Sequence, residues 1–224
     1  MQLLSMNHQT LSKIVKIMEE DARKKEAIVF KVEEVLGADP YKNLVFTMLS
    51  ARTKDGTTLI ALERILKKAK NFDELSKLPT LELEKLLYGV GFYKVKSKNL
   101  KKLAQMVVEK FSGNVPNNIE DLILLPGVGR KTANIVLARV YNVPAIGVDT
   151  HVHRISNRLG LVKTKKPEET EQKLNNLVPD SQKWRFNTIL VAYGQTICSP
   201  LIPSCSICKL KDSTCPMIGV KKYK

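Results

Sequence analysis

The chain has 224 residues, of which 43% are hydrophobic, a length and composition typical of a globular protein with one large or two small cores. No apolar run approaches the ~20 residues of a membrane-spanning helix, and the N-terminus lacks the basic start and apolar core of a secretory signal. We therefore expect a cytoplasmic protein, or a nuclear one if the source has a nucleus. The net charge of +15 favours a polyanionic partner, although charge alone does not separate DNA from RNA, from an anionic membrane or from a merely solvated surface.

Hydrophobic periodicity predicts helices along almost the whole chain. Clear runs with a helical period cover residues 11–18 and 100–111. The one strand-like run, residues 143–148, contains Pro and Gly and has no partner run, so we interpret it as an extended linker. The fold class is therefore all-α. Further helices, separated by Gly and Pro clusters, are predicted over residues 26–36, 41–51, 58–69, 128–140, 168–177 and 181–197.

A Gly-Val-Gly sequence occurs twice between predicted helices, at residues 89–91 and within Leu-Pro-Gly-Val-Gly at residues 125–129. The repeat indicates either two related helix–turn–helix units or a coincidence of ordinary turn chemistry. Glycine lets the backbone approach a ligand closely, and the N–H groups at the start of the next helix favour an anion. We interpret Gly127, Val128 and Gly129 as the turn of a helix–hairpin–helix that binds a DNA phosphate. The alternative is an ordinary interhelical turn.

Lys131 lies in the first turn of the next predicted helix, which is apolar nearly all round and is expected to be buried. Desolvation and the positive helix end both favour the neutral amine there, and a neutral amine is a nucleophile. The alternative is a phosphate-binding surface lysine. Asp149 precedes another predicted helix, where it is either an ordinary N-cap or a carboxylate that stabilises a cationic sugar. Sequence spacing alone does not bring Asp149 and Lys131 together.

The cysteines are concentrated near the C-terminus, at Cys198, Cys205, Cys208 and Cys215. Disulfides are not expected in a reducing compartment. Structural zinc normally uses two Cys-x2–4-Cys knuckles, whereas this sequence has one. A short run that ends in Cys-Pro is typical of a [4Fe–4S] cluster. The spacing therefore favours an iron–sulfur cluster over zinc, and either of these over free thiols.

Three blocks together, residues 125–134, residues 148–152 and the cysteines, resemble the endonuclease III family of helix–hairpin–helix DNA glycosylase/AP lyases. The resemblance implies an all-α fold with two helical domains and a DNA-binding groove between them. A six-helix domain, residues 33–143, would carry the helix–hairpin–helix motif. Residues 1–32 plus 144–224 would form the domain with the C-terminal iron–sulfur cluster loop. The resemblance further implies a nucleoid-associated or nuclear monomer that binds double-stranded DNA containing damaged bases or abasic sites, and no membrane.

The resemblance also assigns roles to individual residues. It implies that Lys131 is the nucleophile, that Asp149 is its acidic partner and that the four cysteines hold a largely structural [4Fe–4S] cluster, although the last cysteine gap is one residue longer than usual. Arg52 stands where the family often has a Gln that fills the space left by the flipped base. Phe92 stands at a wedge position usually held by Leu, and an apolar, stiff Phe suits a wedge; the alternative is a core residue. The implied DNA contacts are Arg52, Phe92, Gly127, Val128, Gly129 and His151.

The function implied is a bifunctional DNA glycosylase/AP lyase of base excision repair that removes oxidised pyrimidines. In this hypothesis the damaged nucleotide is rotated out of the duplex, Lys131 attacks its sugar to form a Schiff base, and β-elimination cuts the strand on the 3′ side. One alternative is a monofunctional mismatch glycosylase of the same superfamily, which usually lacks a lysine at position 131. Others are a non-catalytic helix–hairpin–helix DNA-binding protein and an iron–sulfur electron carrier.

Overall fold

The computed structural model of the protein describes residues 7–224. The first six residues, which belong to the predicted 1–32 segment and to the stretch interpreted as lacking a secretory signal, lie outside the described residues. Within residues 7–224 the secondary structure consists of helices, with no strand, so the predicted all-α fold class is confirmed. None of the described helices is long and apolar enough to cross a membrane.

The α-helices in chain order are α1 (His8–Lys24), α2 (Ile28–Leu36), α3 (Pro40–Ser50), α4 (Asp55–Leu66), α5 (Phe72–Lys77), α6 (Thr80–Leu86), α7 (Tyr93–Phe111), α8 (Ile119–Leu122), α9 (Arg130–Tyr141), α10 (Thr150–Arg158), α11 (Pro167–Leu177) and α12 (Asp180–Thr196), and a 3-10 helix spans Cys205–Ile207.

The chain divides into two compact units. One unit contains the residues up to Lys31 together with Pro144–Lys224, and the other contains Val32–Val143. The assignment of a DNA-binding hairpin to one segment and of a cluster to the other remains a prediction.

In the Val32–Val143 unit, α7 packs against α5 and α6, and α3 packs against α4 and α9. Helix α9 is buried from Thr132 to Ala138, as its apolar composition predicts. This packing fixes the first turn of α9, the position of Lys131, on a rigid core. The fully buried side chains of the unit include Leu44, Leu49, Leu62, Ile65, Leu83, Leu100, Leu103, Leu122 and Val136.

In the other unit, α12 packs against α1 and α10, and α11 packs against α10. The cysteine loop follows α12 directly, and Cys198, Cys208 and Cys215 pack against the apolar core of this unit. The core therefore supports the loop from one side. Its buried side chains include Leu11, Ile14, Met18, Val152, Ile155, Phe186, Leu190 and Tyr193.

The predicted helices are present with boundaries shifted by a few residues, except that α7 starts at Tyr93, well before the predicted residue 100. Residues 143–148 form neither helix nor strand, so the extended linker is confirmed. The sequence analysis missed α5, α6 and α8, because helices this short show no full hydrophobic period. Two of them start at asparagine N-caps, Asn71 and Asn118, which was the available signal.

Candidate functional site

The second Gly-Val-Gly turn joins α8 to α9 and has the conformation that its glycines predict. Gly127 adopts a φ of +84°, a backbone conformation that favours glycine. The N–H of the buried Val128 donates to the carbonyl of Leu125 at 3.0 Å. Gly129 is the N-cap of α9, and an added Cβ there would meet no atom within 4 Å. The first glycine is thus favoured by its backbone conformation, whereas the second leaves open surface beside a helix N-terminus.

The first Gly-Val-Gly turn, between α6 and α7, repeats this backbone pattern. Gly89 has a φ of +98°, and the N–H of the buried Val90 donates to the carbonyl of Leu87 at 2.9 Å. The two copies therefore share the geometry of the turn, and their origin as related helix–turn–helix units remains a prediction. They differ at the second glycine, because a Cβ on Gly91 would lie 2.6 Å from the carbonyl oxygen of Arg52. The first turn faces the protein's own backbone where the second turn faces open space.

Arg52 and Phe92 lie side by side in the Val32–Val143 unit. Their backbones are both left-handed, with φ of +54° and +58°. The guanidinium carbon of Arg52 lies 5.6 Å from the centroid of the Phe92 ring, within the range of a cation–π contact. Phe92 is 61% exposed, so the alternative of a core residue is wrong. A left-handed backbone is strained at a non-glycine residue, and here it occurs at two residues that are neighbours in space. Backbone strain of this kind is concentrated at functional sites.

Lys96, in the second turn of α7, is a residue that the sequence analysis missed. It is only 8% exposed. Its Nζ donates to the carbonyls of Leu49 at 2.7 Å and Ala51 at 2.6 Å, and to Oγ1 of Thr53 at 3.1 Å. Burial, and then the charge of Lys131, lower the pKa of Lys96 to about 8. The sequence offered no signal, because Lys96 is one of several lysines in this helix.

Lys131 is partly buried and is the second residue of α9, two positions after the open N-cap Gly129. The structure therefore confirms its predicted place in the first turn of a buried helix. The charge of Lys131 is one of the two causes that lower the pKa of Lys96, so the two side chains lie within electrostatic range of each other. A cation in the first turn of a helix also opposes the helix dipole.

Asp149 is the N-cap of α10. Its Oδ1 accepts hydrogen bonds from the backbone N–H groups of His151 and Val152, both at 2.9 Å. The N-cap interpretation is thus confirmed as geometry. Both bonds end on Oδ1, so the cap does not use Oδ2, and capping is compatible with a chemical role. Asp149 and Lys131 belong to different units of the fold, and their pairing remains a prediction.

The side chains of α10 connect its N-terminal turn to the cysteine loop. Nδ1 of His151 and Nη2 of Arg154 are 3.2 Å apart, and the same Nη2 donates to the carbonyl of Cys198 at 2.8 Å. One turn later, Nη1 of Arg158 donates to the carbonyl of Ser199 at 2.6 Å. Both arginines escaped the sequence analysis, because their partners are more than forty residues away along the chain.

The four cysteines line one small cavity beside α10 and α12. The hydroxyl of Tyr193 lies 2.9 Å from Sγ of Cys208, and Nη1 of Arg158 donates to Sγ of Cys198 at 3.4 Å. Burial, and then the charges of the neighbouring thiolates, raise the pKa of Cys215 to about 11. Cysteine binds a metal as the thiolate, so a metal centre in this cavity would release protons from the thiols that hold it.

The four thiols form a donor set of one chemical type. Four cysteine ligands are found both in structural zinc sites and in [4Fe–4S] clusters, so the donor set fits either centre. Among residues 7–224, no three His, Cys, Asp or Glu side chains are close enough together to hold a single metal ion.

The helical fold and the glycine-containing hairpin are those of a helix–hairpin–helix DNA repair protein. The family model of the HhH-GPD superfamily base excision DNA repair proteins matches residues 45–180. Endonuclease III of Thermotoga maritima is 44% identical over 174 residues, which cover 78% of this chain and 82% of that protein. The chain belongs to the endonuclease III family, as its sequence motifs predict. It is a DNA-binding enzyme of base excision repair, a DNA glycosylase with AP lyase activity.

Two solved structures resemble the chain closely in three dimensions. An endonuclease III in a non-covalent complex with DNA matches with a TM-score of 0.83 at 30% identity, over 95% of this chain and 96% of that one. A trapped covalent endonuclease III–DNA intermediate, in an estranged-adenine complex, matches with a TM-score of 0.76 at 30% identity, over 88% of this chain and 96% of that one.

Proposed function

We propose that the enzyme removes oxidised pyrimidines from duplex DNA, with Lys131 as the nucleophile and Asp149 as its acidic partner. The observation that carries this proposal is the position of Lys131, in the first turn of a buried helix and within electrostatic range of Lys96. Desolvation, a positive helix end and a neighbouring cation each disfavour the charged form of a lysine, and the neutral amine is the reactive form.

The proposed reaction proceeds in two stages. The neutral amine of Lys131 attacks C1′ of the rotated nucleotide, and the damaged base leaves with a proton while Asp149 stabilises the positive charge that develops on the sugar. Ring opening then gives a Schiff base between Nζ and C1′. Loss of a proton from C2′ expels the 3′ phosphate by β-elimination, and hydrolysis of the Schiff base frees Lys131.

In this proposal the duplex is held first through its phosphates. We propose that the N–H groups of the turn Gly127–Gly129 bind one phosphate, since this turn precedes the N-terminus of α9. His151, in the first turn of α10, would contact the strand near Asp149. Phe92 would enter between bases as a wedge, and Arg52 would fill the space of the rotated nucleotide.

The decisive experiment is borohydride trapping with the purified enzyme. Duplexes that carry an oxidised pyrimidine, a mismatched thymine or an abasic site are incubated with the protein and sodium borohydride. We expect a covalent protein–DNA adduct with the oxidised pyrimidine and the abasic site. Base removal without an adduct would instead identify a monofunctional glycosylase, and binding without base removal or an adduct would identify a non-catalytic DNA-binding protein.

We further propose that Cys198, Cys205, Cys208 and Cys215 hold a [4Fe–4S] cluster. The shared cavity that all four cysteines line and their spacing in the sequence support it. Such a cluster would supply iron–thiolate bonds that fix the loop after α12. Analysis of the purified protein should find about four iron and four inorganic sulfide atoms per chain, whereas about one zinc atom would contradict the cluster.

The two hairpin glycines provide a separate prediction. Gly129→Ala should keep the free energy of unfolding within about 1 kcal/mol of the wild type, because the added methyl group meets only open space. It should still weaken duplex binding, since that methyl group would stand in the path of a phosphate. Gly127→Ala should lower the free energy of unfolding by ~1–3 kcal/mol through strain and contact with Met48.

Urea denaturation and anisotropy titration of a labelled duplex measure the two quantities. Equal losses of stability in both glycine variants, or unchanged DNA binding by Gly129→Ala, would contradict the proposed phosphate site.

We also infer that the enzyme acts as a monomer where the DNA is, in the nucleoid or the nucleus.

A further inference from the structure

The ammonium of Lys96 joins two segments of the Val32–Val143 unit. Its acceptors lie in the last turn of α3 and just beyond it, at the carbonyls of Leu49 and Ala51 and the hydroxyl of Thr53. The same hydroxyl accepts the backbone N–H of Gly91 at 3.1 Å, immediately before α7. Thr53 is thus shared by the end of one segment and the start of the other.

Arg52 and Phe92 are displayed from these two joined segments. Arg52 lies between Ala51 and Thr53, both of which bond to Nζ of Lys96. Phe92 follows Gly91, whose N–H bonds to Thr53 and whose Cα lies against the carbonyl of Arg52. The left-handed backbone at both displayed residues is therefore held by neighbours that Lys96 anchors.

The chemistry of the contact explains why a lysine stands there. An ammonium has three N–H donors, and Lys96 places them on three oxygen atoms of a single turn. A buried charge without such partners is strongly unfavourable, and hydrogen bonds to charged groups are stronger than neutral ones. Without the ammonium, the carbonyls of Leu49 and Ala51 lose their shared partner, and the turn is free to relax away from its strained conformation.

We propose that Lys96 is a positioning residue that fixes Arg52 and Phe92 as one preformed unit, so that both side chains enter the duplex together. This inference rests on the proposed function, in which the pair contacts DNA at the rotated nucleotide. A competing explanation is that Lys96 only caps the C-terminal carbonyls of α3, which cations commonly do at helix ends.

The chain offers a matched control for this competing explanation. Lys101 lies on the same helix, and its Nζ donates to the carbonyls of Ser76 and, at 2.8 Å, Leu78. These carbonyls lie at the end of α5, so Lys101 caps a helix as Lys96 does. Its acceptors lie outside the segments that display Arg52 and Phe92. Lys101→Met therefore removes the same kind of contact without touching the displayed pair.

The test uses the full-length purified enzyme and a duplex with a tetrahydrofuran abasic analogue opposite 2-aminopurine, whose fluorescence rises when the base unstacks. In Lys96→Met, we expect the equilibrium constant for unstacking to fall by about tenfold or more, because opening one base step takes a few kcal/mol. Anisotropy should show that the duplex is still bound. Lys101→Met should unstack the duplex as the wild type does.

Two further variants make the test sharper. Thr53→Val removes the shared hydroxyl but leaves Lys96 the carbonyl acceptors of Leu49 and Ala51, so it should also lower unstacking. It carries the test alone if Lys96→Met does not fold. In the Arg52→Ala, Phe92→Ala double variant, Lys96→Met should lower unstacking little further, because its effect on unstacking acts through that pair. Wild-type unstacking in Thr53→Val, equal losses in Lys96→Met and Lys101→Met, or full additivity in that double variant would overturn the proposal.

The analogue cannot form a Schiff base, so unstacking is measured independently of catalysis. Failure of the borohydride experiment would overturn the proposed function and leave this readout intact. Normal trapping combined with wild-type unstacking by Lys96→Met and Thr53→Val would overturn the positioning role alone.

Discussion

Lys131→Ala is expected to abolish the borohydride-trapped adduct and to lower the rate of strand cleavage by about 10³-fold or more, as removal of a nucleophile does in other enzymes. The reason is that no other group supplies the amine that bonds to C1′ in the proposed reaction. Gel analysis of single-turnover reactions on an abasic duplex measures both quantities.

The matched control for this prediction is Lys110→Ala. Lys110 is an exposed lysine in the last turn of α7, so its removal changes the net charge equally and should leave trapping intact. The phosphate-binding alternative for Lys131 makes a different prediction. If Lys131 only held a phosphate, the variant would still be trapped, and the slope of log K against log salt would fall by about 1.

Asp149→Asn is the second large expected effect, a loss of about 10²-fold or more in base removal with little change in stability. Asparagine caps a helix as well as aspartate, so the N–H groups of His151 and Val152 keep their acceptor. What the variant loses is the negative charge. The substitution therefore separates the capping role, which the structure shows, from the proposed chemical role.

Asp149→Ala completes this comparison, because it removes the cap and the charge together. Its free energy of unfolding should fall by ~0.5–2 kcal/mol relative to Asp149→Asn. Base removal is measured on an oxidised-pyrimidine duplex and unfolding by urea titration. Full activity in Asp149→Asn would show that Asp149 is an N-cap and nothing more.

The parts of the site that the sequence predicted are those whose requirements are local. Gly127 reveals a tight turn because its left-handed backbone favours glycine, and the first turn of α9 follows shortly after it. Asp149 at a helix start and the cysteine spacing are likewise written within a few residues of sequence. Such features can be deduced from one sequence because the residue type and the local structure that requires it lie within a few positions of each other.

The parts that could not be predicted depend on contacts distant in sequence. Lys96 bonds to carbonyls 47 and 45 residues away, and Arg154 bonds to a carbonyl 44 residues away. Every residue has a backbone carbonyl, so no residue type marks the acceptor. For the same reason, the sequence suggested Arg52 and Phe92 singly and not as a contacting pair. The two residues are in contact because the fold brings the segment after α3 against the start of α7.

The left-handed backbone at Arg52 and Phe92 has a kinetic consequence. Both residues already hold their strained conformation in the free protein, so their conformational entropy is lost during folding and not at each encounter with DNA. An enzyme that inspects a long duplex meets many intact base steps for every damaged one. If Arg52 and Phe92 contact DNA as proposed, they need no backbone ordering at each step, and we expect the protein to test and reject an intact step quickly.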